Sequence, residues 1–516
     1  MPKNCETNMG KYFDLPNPAL RSYFGHVVAG QPDVYRTTFY KGQDVTEILS
    51  GWMPHLQSLK EEWPTLLSFE EDLAKKVGPM SVMKPLAERM PDLDLYYDSI
   101  LKESVPIPVD AWSSVVQEWK SAKGMRLRGE AKTVELMRKS TNSGSPFFSK
   151  RRDVLKDTSP SIIENDVQIL PKGTWDYCAV LGWRGQEGGP KPEDVKQRVV
   201  WMFPFAVNIQ ELRAYQVLIE VAQTFNLVPA WVSMEAVDSA ITRLFDTKGP
   251  NDLIVCTDFS KFDQHFNSDM QECAANIMYN LFTPTSDFQA WLKNVFPIKY
   301  NIPLCYNYGK FMYGPHGMGS GSGGTNADET LTHRALQYEA AQAAGSKLNP
   351  NSQCLGDDGI LSYPGITVED VTRIYSSHGQ DMNLDKQYAS TDDCTYLRRW
   401  HHKDYRRDGV CVGVYSTARA LGRLAEQERY YDPESWGKEM VALRQLSIIE
   451  NCKWHPLREQ FVDYCMKGDR YKLGIEIPGF LANIERLAKE ATEYMPDFLG
   501  YNRSLQRAAD RGIGDW

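Results

Sequence analysis

Asp258 and Asp263 stand five residues apart in Asp258-Phe259-Ser260-Lys261-Phe262-Asp263, and a second acidic pair lies between glycines in Gly356-Asp357-Asp358-Gly359. Either group alone is explained by local structure, because aspartates cap strand ends and favour tight turns. Together they suggest more. Gln353-Cys354-Leu355 and Ile360-Leu361-Ser362-Tyr363 read as the strands of a hairpin whose turn carries Asp357 and Asp358. The apolar run Leu253–Phe259 reads as a buried strand ending near Asp258. Acids held at one edge of a sheet can collect two divalent ions roughly 3.5–4 Å apart and so stabilise both oxygens of an in-line phosphoryl displacement. Mg²⁺ suits such a site, since it prefers carboxylate oxygens and shares its shell with substrate phosphates.

Anion-binding chemistry accompanies the acids. Gly314 through Gly324 contains six glycines in eleven residues and precedes a strong helix former, Ala327–Ala344, that stops at Gly345. A Gly/Ser loop at a helix start offers N–H groups and hydroxyls to a nucleotide or a template backbone. A Gly/Pro loop from Gly182 to Pro192, carrying Arg184 and Lys191, runs into Lys196–Met202, a predicted strand whose Lys196 and Arg198 share one face. The Arg184–Arg198 segment is suited to cradle a triphosphate. Lys120–Lys156 holds eleven basic residues against three acidic ones, a balance of +8 in a chain of net charge −9, so the remainder carries −17. One anion-binding face fits this distribution better than a generally basic surface, with a solvated basic helix as the competing reading.

Helices are expected at Pro108–Lys123, from about Met270 to Phe282, and at Thr367–His378 with Thr367 as its cap; Thr141–Pro146 should be a loop, and the chain from Thr417 to Trp516 should be mainly helical. These pieces describe an α+β arrangement with helices on one face of a sheet. The 516 residues are 42% hydrophobic and 24% charged, an ordinary globular composition. No apolar stretch nears the roughly 20 residues of a membrane span, and the polar start lacks a signal-peptide core, so a soluble, unsecreted protein is expected. Ten cysteines without a CxxC pair fit neither a disulfide framework nor a zinc module, and Cys256 and Cys354 read as buried apolar groups. His401-His402 has no further ligand at zinc spacing and is expected on a solvated or RNA-facing hairpin.

The ordered set of motifs resembles the right-hand RNA-dependent RNA polymerases of RNA viruses, and the overall sequence is most similar to those of picobirnaviruses, which have segmented double-stranded RNA. Asp258–Asp263 resembles the first palm motif of that family, Ser320-Gly321-Ser322-Gly323-Gly324-Thr325 the second and Gly356-Asp357-Asp358 the third. Lys386 falls where the fourth has its lysine. Tyr396-Leu397-Arg398-Arg399-Trp400 resembles the primer grip, Arg198 the fingers motif that meets the incoming nucleotide, and Ser143-Gly144-Ser145-Pro146 the template-entry motif. One departure stands out: Glu329 occupies the position, four residues after Thr325, where the family usually has Asn. Asn326 is expected to take over that role.

The resemblance implies an α+β right-hand fold with fingers, palm and thumb, an antiparallel palm sheet backed by helices and a mainly helical thumb. Residues 1–100 would bridge fingers and thumb, 101–250 form fingers, 251–400 the palm with a finger-returning insertion, and 401–516 the thumb. It implies template-directed RNA synthesis from nucleoside triphosphates in replication and transcription of a viral RNA genome. Asp258, Asp357 and Asp358 would hold two Mg²⁺ ions, with Mn²⁺ as an alternative, and Lys386 would protonate pyrophosphate. Arg184, Lys196, Arg198, Asp263, Ser320, Thr325 and Asn326 would bind the nucleotide. Ser143, Gly144, Pro146, Lys150, Arg151 and Arg152 would bind template, and Arg398, Arg399 and Trp400 would grip the primer. Implied partners are RNA and a viral capsid protein, with no membrane and a monomeric chain, in the virion interior and host-cell cytoplasm. Two other readings remain. A reverse transcriptase usually carries an aromatic steric gate where this chain has Asp263, and a non-catalytic RNA-binding or capsid-associated protein leaves the ordered acids unexplained.

Overall fold

The computed structural model describes residues 3–432 and 434–494. At its centre is a four-stranded antiparallel sheet in the order Gln353–Leu355, Asp358–Leu361, Ile254–Thr257, Tyr388–Ser390. Ile254, Val255, Ile360 and Leu361 are fully buried and share one core with the helices Val109–Glu118, Ser268–Leu281, Thr325–Ala343 and Val368–Ser376. Each of these helices lies within two residues of its expected start or within five of its expected end. The helix Thr325–Ala343 is buried along most of its length because small residues (Ala327, Ala335, Ala340, Ala341) let neighbours approach on several sides. Its one long cation, Arg334, pairs with Glu118 of the helix Val109–Glu118 at 2.5 Å and donates to the Ser352 carbonyl, so burial leaves no uncompensated charge. Gly345 closes it at φ +66°, and the Thr367 hydroxyl caps Val368–Ser376 by accepting from the Asp370 N–H at 3.1 Å.

A second sheet runs Lys3–Glu6, Lys310–Tyr313, Leu304–Asn307, Ala179–Gln186, Lys196–Met202. The loop expected from Gly182 is therefore strand as far as Gln186. Ala179, Val180 and Leu181 are fully buried, and backbone groups entering such a core must be paired; the ladder with Lys196–Met202 supplies partners and sets Arg184 opposite Arg198. The hairpin 304–313 leaves the central elements to join this sheet.

The N-terminal hundred residues divide their contacts. Met9–Phe24 packs against Phe148, Cys178 and Phe311 beside the second sheet, whereas Phe39–Val77 shares a core with residues from Trp400 to Leu473. Glu70, fully buried, seals that second contact. Its carboxylate accepts from the Thr417 and Ala418 N–H groups at 2.8 and 3.1 Å, from the hydroxyls of Ser416 and Thr417 at 2.7 Å, and lies 2.9 Å from His455 Nε2. It thus caps the helix Thr417–Ala425 from a distant part of the chain. Helices Lys438–Glu450, Arg458–Gly468 and Ile484–Tyr494 complete the mainly helical C-terminal part; the tail from 495 onward lies outside the described residues. Cys178, Cys256, Cys354 and the other six described cysteines are buried and unpaired.

His401 and His402 do not lie on a solvated hairpin. His401 is fully buried with its Nδ1–H donated to the Cys411 carbonyl at 3.0 Å, and His402 packs its ring on Trp63 and Trp400. Among the described residues no helix is long and apolar enough to cross a membrane.

Candidate active site

The acids meet because of strand register. Gly359 is the partner of Thr257, so Asp258 and Asp358 follow as the next positions beyond the ladder, with Asp357 in the adjoining turn. That turn needs Gly356 at φ +57°, where a side chain is strained. Its peptide is tied to the helix Thr325–Ala343: Gly356 N–H donates to Thr330 Oγ1 at 2.9 Å, and its carbonyl accepts from His333 Nδ1 at 2.8 Å. Asp258 and Asp357 are exposed to a cavity of about 2570 Å³ whose lining also includes Lys196, Arg198, Asp263, Ser320, Thr325, Asn326 and Lys386. Asp358 sits deeper, and its Oδ2 accepts from the Leu397 N–H at 2.8 Å.

The electrostatics of the three acids suit a cation. Burial raises the Asp258 carboxyl above its ordinary value against the opposing charges of Lys386, Lys76 and Lys196. Burial does the same to Asp357, with Arg198 opposing and Asp263 and Asp258 adding repulsion. Asp358 is pushed up to about 7 by burial and then by Asp357. A bound divalent ion removes this mutual repulsion. Among the described residues no three acids, histidines or cysteines are close enough to enclose an ion unaided.

Asp263 lies beside Glu329 and Arg198. Glu329 is only 6% exposed, and burial first, then the Asp263 charge, raise its carboxyl well above the ordinary range. Arg198 faces Asp263 and Asp357, whose charges outweigh the burial that disfavours a cation there. Asn326 also lines the cavity, its Oδ1 accepting from Trp231 Nε1 at 2.8 Å and its amide lying beside Gly356.

The glycine loop passes close under the strand Lys196–Met202. A Cβ on Gly321 would stand 1.5 Å from the Trp201 carbonyl oxygen. Ser320 Oγ donates to the Val199 carbonyl at 3.1 Å, and the Thr325 hydroxyl to those of Gly319 and Ser322. Both hydroxyls therefore hold the loop's shape. The buried Glu211, unmarked in the sequence, accepts from the Ser322 hydroxyl and from the Gly323 N–H and Asn208 amide.

Other expected contacts are redistributed. Arg184 reaches Glu428 at 3.2 Å across the cavity. Arg151 is buried, donating to Asn208 Oδ1 at 2.7 Å and stacking over Phe205, and so braces the loop behind it. Ser143 is buried and accepts from the Ser149 N–H, Gly144 turns at φ +61° against the Phe203 carbonyl, and Pro146 follows a cis bond. These residues shape the segment, while Lys150 and Arg152 stay exposed at the cavity wall. Of the grip residues, Arg398 lines the cavity at φ +60°. Arg399 and Trp400 are buried, the former over the Tyr415 ring and the latter donating to Thr65 Oγ1, since their strand is sandwiched in the core shared with Phe39–Val77.

Comparison with known proteins bears on this site. The profile of a family described as viral RNA-dependent RNA polymerase matches residues 190–453, which include Asp258, Asp263, Asp357 and Asp358. A potential RNA-dependent RNA polymerase of Human picobirnavirus (strain Human/Thailand/Hy005102/-) is 62% identical over 98% of this chain and 96% of its own. The crystal structure of the RNA-dependent RNA polymerase of a human picobirnavirus is similar at a TM-score of 0.93 and 62% identity, covering 98% of this chain and 97% of the other. That of an insertion loop deletion mutant is similar at 0.92, covering 94% and 96%.

Proposed function

The chain belongs to the viral RNA-dependent RNA polymerases, has their right-hand fold and carries out template-directed RNA synthesis, and from this we propose that nucleotidyl transfer takes place at Asp258 and Asp357. The observation that carries the proposal is the register that brings both acids to one sheet end facing the cavity. Fingers, palm and thumb are assigned to 101–250, 251–400 and 401–516, with 1–100 bridging the outer two; the divided contacts of the first hundred residues support this.

Asp258 and Asp357 would hold two Mg²⁺ ions, with Asp358 in support through its Leu397 hydrogen bond. When bound, such ions activate the attacking 3′-hydroxyl and neutralise charge developing on the leaving group. Lys196 and Arg198 bind the triphosphate, Arg198 leaving the acids it faces in the free protein. Lys386, exposed and close enough to Asp258 to affect its charge, donates a proton to the departing pyrophosphate. Asp263 accepts from the ribose hydroxyls and Glu329 orients it by donation. Lys150 and Arg152 meet template phosphates, and Arg398 meets the product strand. A capsid protein is the proposed partner in the virion interior and host cytoplasm, with the polymerase acting there as a monomer.

The test is primer extension on an RNA template with Mg²⁺ or Mn²⁺ and either ribonucleotides or deoxyribonucleotides. Ribonucleotide-dependent products are expected. Equal use of deoxyribonucleotides would favour a reverse transcriptase, and RNA binding without products would leave a non-catalytic role.

A further inference from the structure

The strand Tyr388–Ser390 pairs with Ile254–Thr257 only up to Tyr388 opposite Cys256. Continued, the ladder would set Lys386 opposite Asp258. The main chain instead turns into the short 3₁₀ helix Leu384–Lys386, capped by the Asn383 side chain on the Asp385 N–H, and this frees Lys386 to face the cavity. Asp258 would then lose its backbone partners on that side. A side chain replaces them. Gln387 Oε1 accepts from the Asp258 N–H at 2.7 Å, and Gln387 Nε2 donates to the Asp258 carbonyl at 2.8 Å and to the Asn383 carbonyl at 2.9 Å. Only one orientation of the amide satisfies all three groups, since Nε2 must face the two carbonyls and Oε1 the N–H.

We propose that Gln387 is a positioning residue for RNA synthesis: its amide serves as a substitute peptide unit that locks the backbone of Asp258 to the segment carrying Lys386, so that the acid and the proton donor are set by one clamp. The inference rests on the roles proposed above for Asp258 and Lys386. Its reach is specific to glutamine. Asparagine is one methylene shorter, methionine has the length but no hydrogen bonds, and glutamate can accept from the N–H but cannot donate to either carbonyl. A misplacement on the order of 1 Å at a reacting centre costs up to about a hundredfold in rate, and nucleotide binding by Lys196 and Arg198, on a different sheet, would be spared.

The test uses the full-length protein with a primed RNA template and compares Gln387→Met, Gln387→Glu, Lys386→Met and the double variant Lys386→Met/Gln387→Met, with Asp258→Asn as control. For Gln387→Met we expect a melting temperature close to that of the unsubstituted protein, a single-nucleotide incorporation rate lower by about ten- to a hundredfold, and a half-saturating nucleotide concentration within about twofold. A general loss of folding would move the melting temperature and not split rate from saturation in this way. The double variant should be no slower than the slower single variant, because both act through the same clamp. Gln387→Glu should fall as far as the methionine variant, and it decides the matter if Gln387→Met folds poorly. A normal rate in both Gln387 variants alongside an inactive Asp258→Asn would overturn the clamp. Fully multiplicative losses in the double variant would overturn its link to Lys386. An active Asp258→Asn would instead remove the underlying reading of the site.

Discussion

At the scale of single residues, the proposed sugar contacts place Asp263 and Glu329 at the ribose hydroxyls. A site built to hydrogen-bond a hydroxyl rejects the analogue that lacks it, because its own buried groups are then left unpaired. Glu329→Ala should therefore narrow the ratio of ribonucleotide to deoxyribonucleotide incorporation by about tenfold or more, whereas Glu329→Gln, which keeps a donor towards Asp263, should preserve most of it. Competition kinetics with the two nucleotide classes measures this directly; an unchanged ratio in Glu329→Ala would return the role to another residue. Asn326→Ala should act chiefly by orphaning the Trp231 indole N–H, lowering stability more than selectivity. The site's acids were legible from spacing alone, since Asp258, Asp357 and Asp358 sit where strand ends and turns place them. Which neighbour lies beside Asp263 was not legible, because it depends on how the helix Thr325–Ala343 is rotated and on the burial that raises the Glu329 carboxyl.

At the scale of elements, two predictions follow from how loops and helices are held. Within Lys120–Lys156, Arg128 pairs with Glu220 and Arg151 is buried, while Lys150 and Arg152 stand exposed at the cavity wall beside Arg138. Neutralising those two should weaken binding of unrelated single strands alike and reduce the slope of log affinity against log salt by roughly 0.7 per lost contact. Filter binding across a salt series tests this, and an unchanged slope would make both residues ordinary surface cations. The cap of the helix Thr417–Ala425 gives a pH dependence. Burial would raise the Glu70 carboxyl, but the His455 contact and the donors from Ser416 and Thr417 outweigh it and hold it below its ordinary value. A depressed folded value means stabilisation that is present above the unfolded value, about 4.3, and lost as pH falls through the folded one. Glu70→Gln should thus cost about 3 kcal/mol near neutrality, and the gap from the unsubstituted protein should shrink below about pH 4 in denaturant unfolding. A gap that does not change with pH would contradict the assignment.

At the scale of the whole molecule, the hand is closed by contacts that no local pattern announces. Glu187, just past the strand Ala179–Gln186, pairs with Arg419 of the helix Thr417–Ala425 at 2.7 Å, with side chains 8–9% exposed, and Tyr35–Arg36 pairs with Glu426–Gln427. Periodicity located the four helices around the central sheet and the central hairpin because each is decided within about twenty residues. It missed the strand Gly182–Gln186, whose glycines read as loop, and could not pair segments hundreds of residues apart. Arg419→Ala leaves Glu187 buried without its cation and should loosen the ring around the cavity, so products in a single-binding assay with a trap should shorten; unchanged lengths would mean that the pair does not help hold the template. The account as a whole depends on Asp258 and Asp357 acting together at one sheet end. The most direct measurement is single-nucleotide incorporation by Asp258→Asn and Asp357→Asn, each shown to melt like the unsubstituted protein and to bind primed template normally. Incorporation should fall by at least about a thousandfold in both, with template affinity unchanged, and near-normal incorporation by either variant would contradict the account.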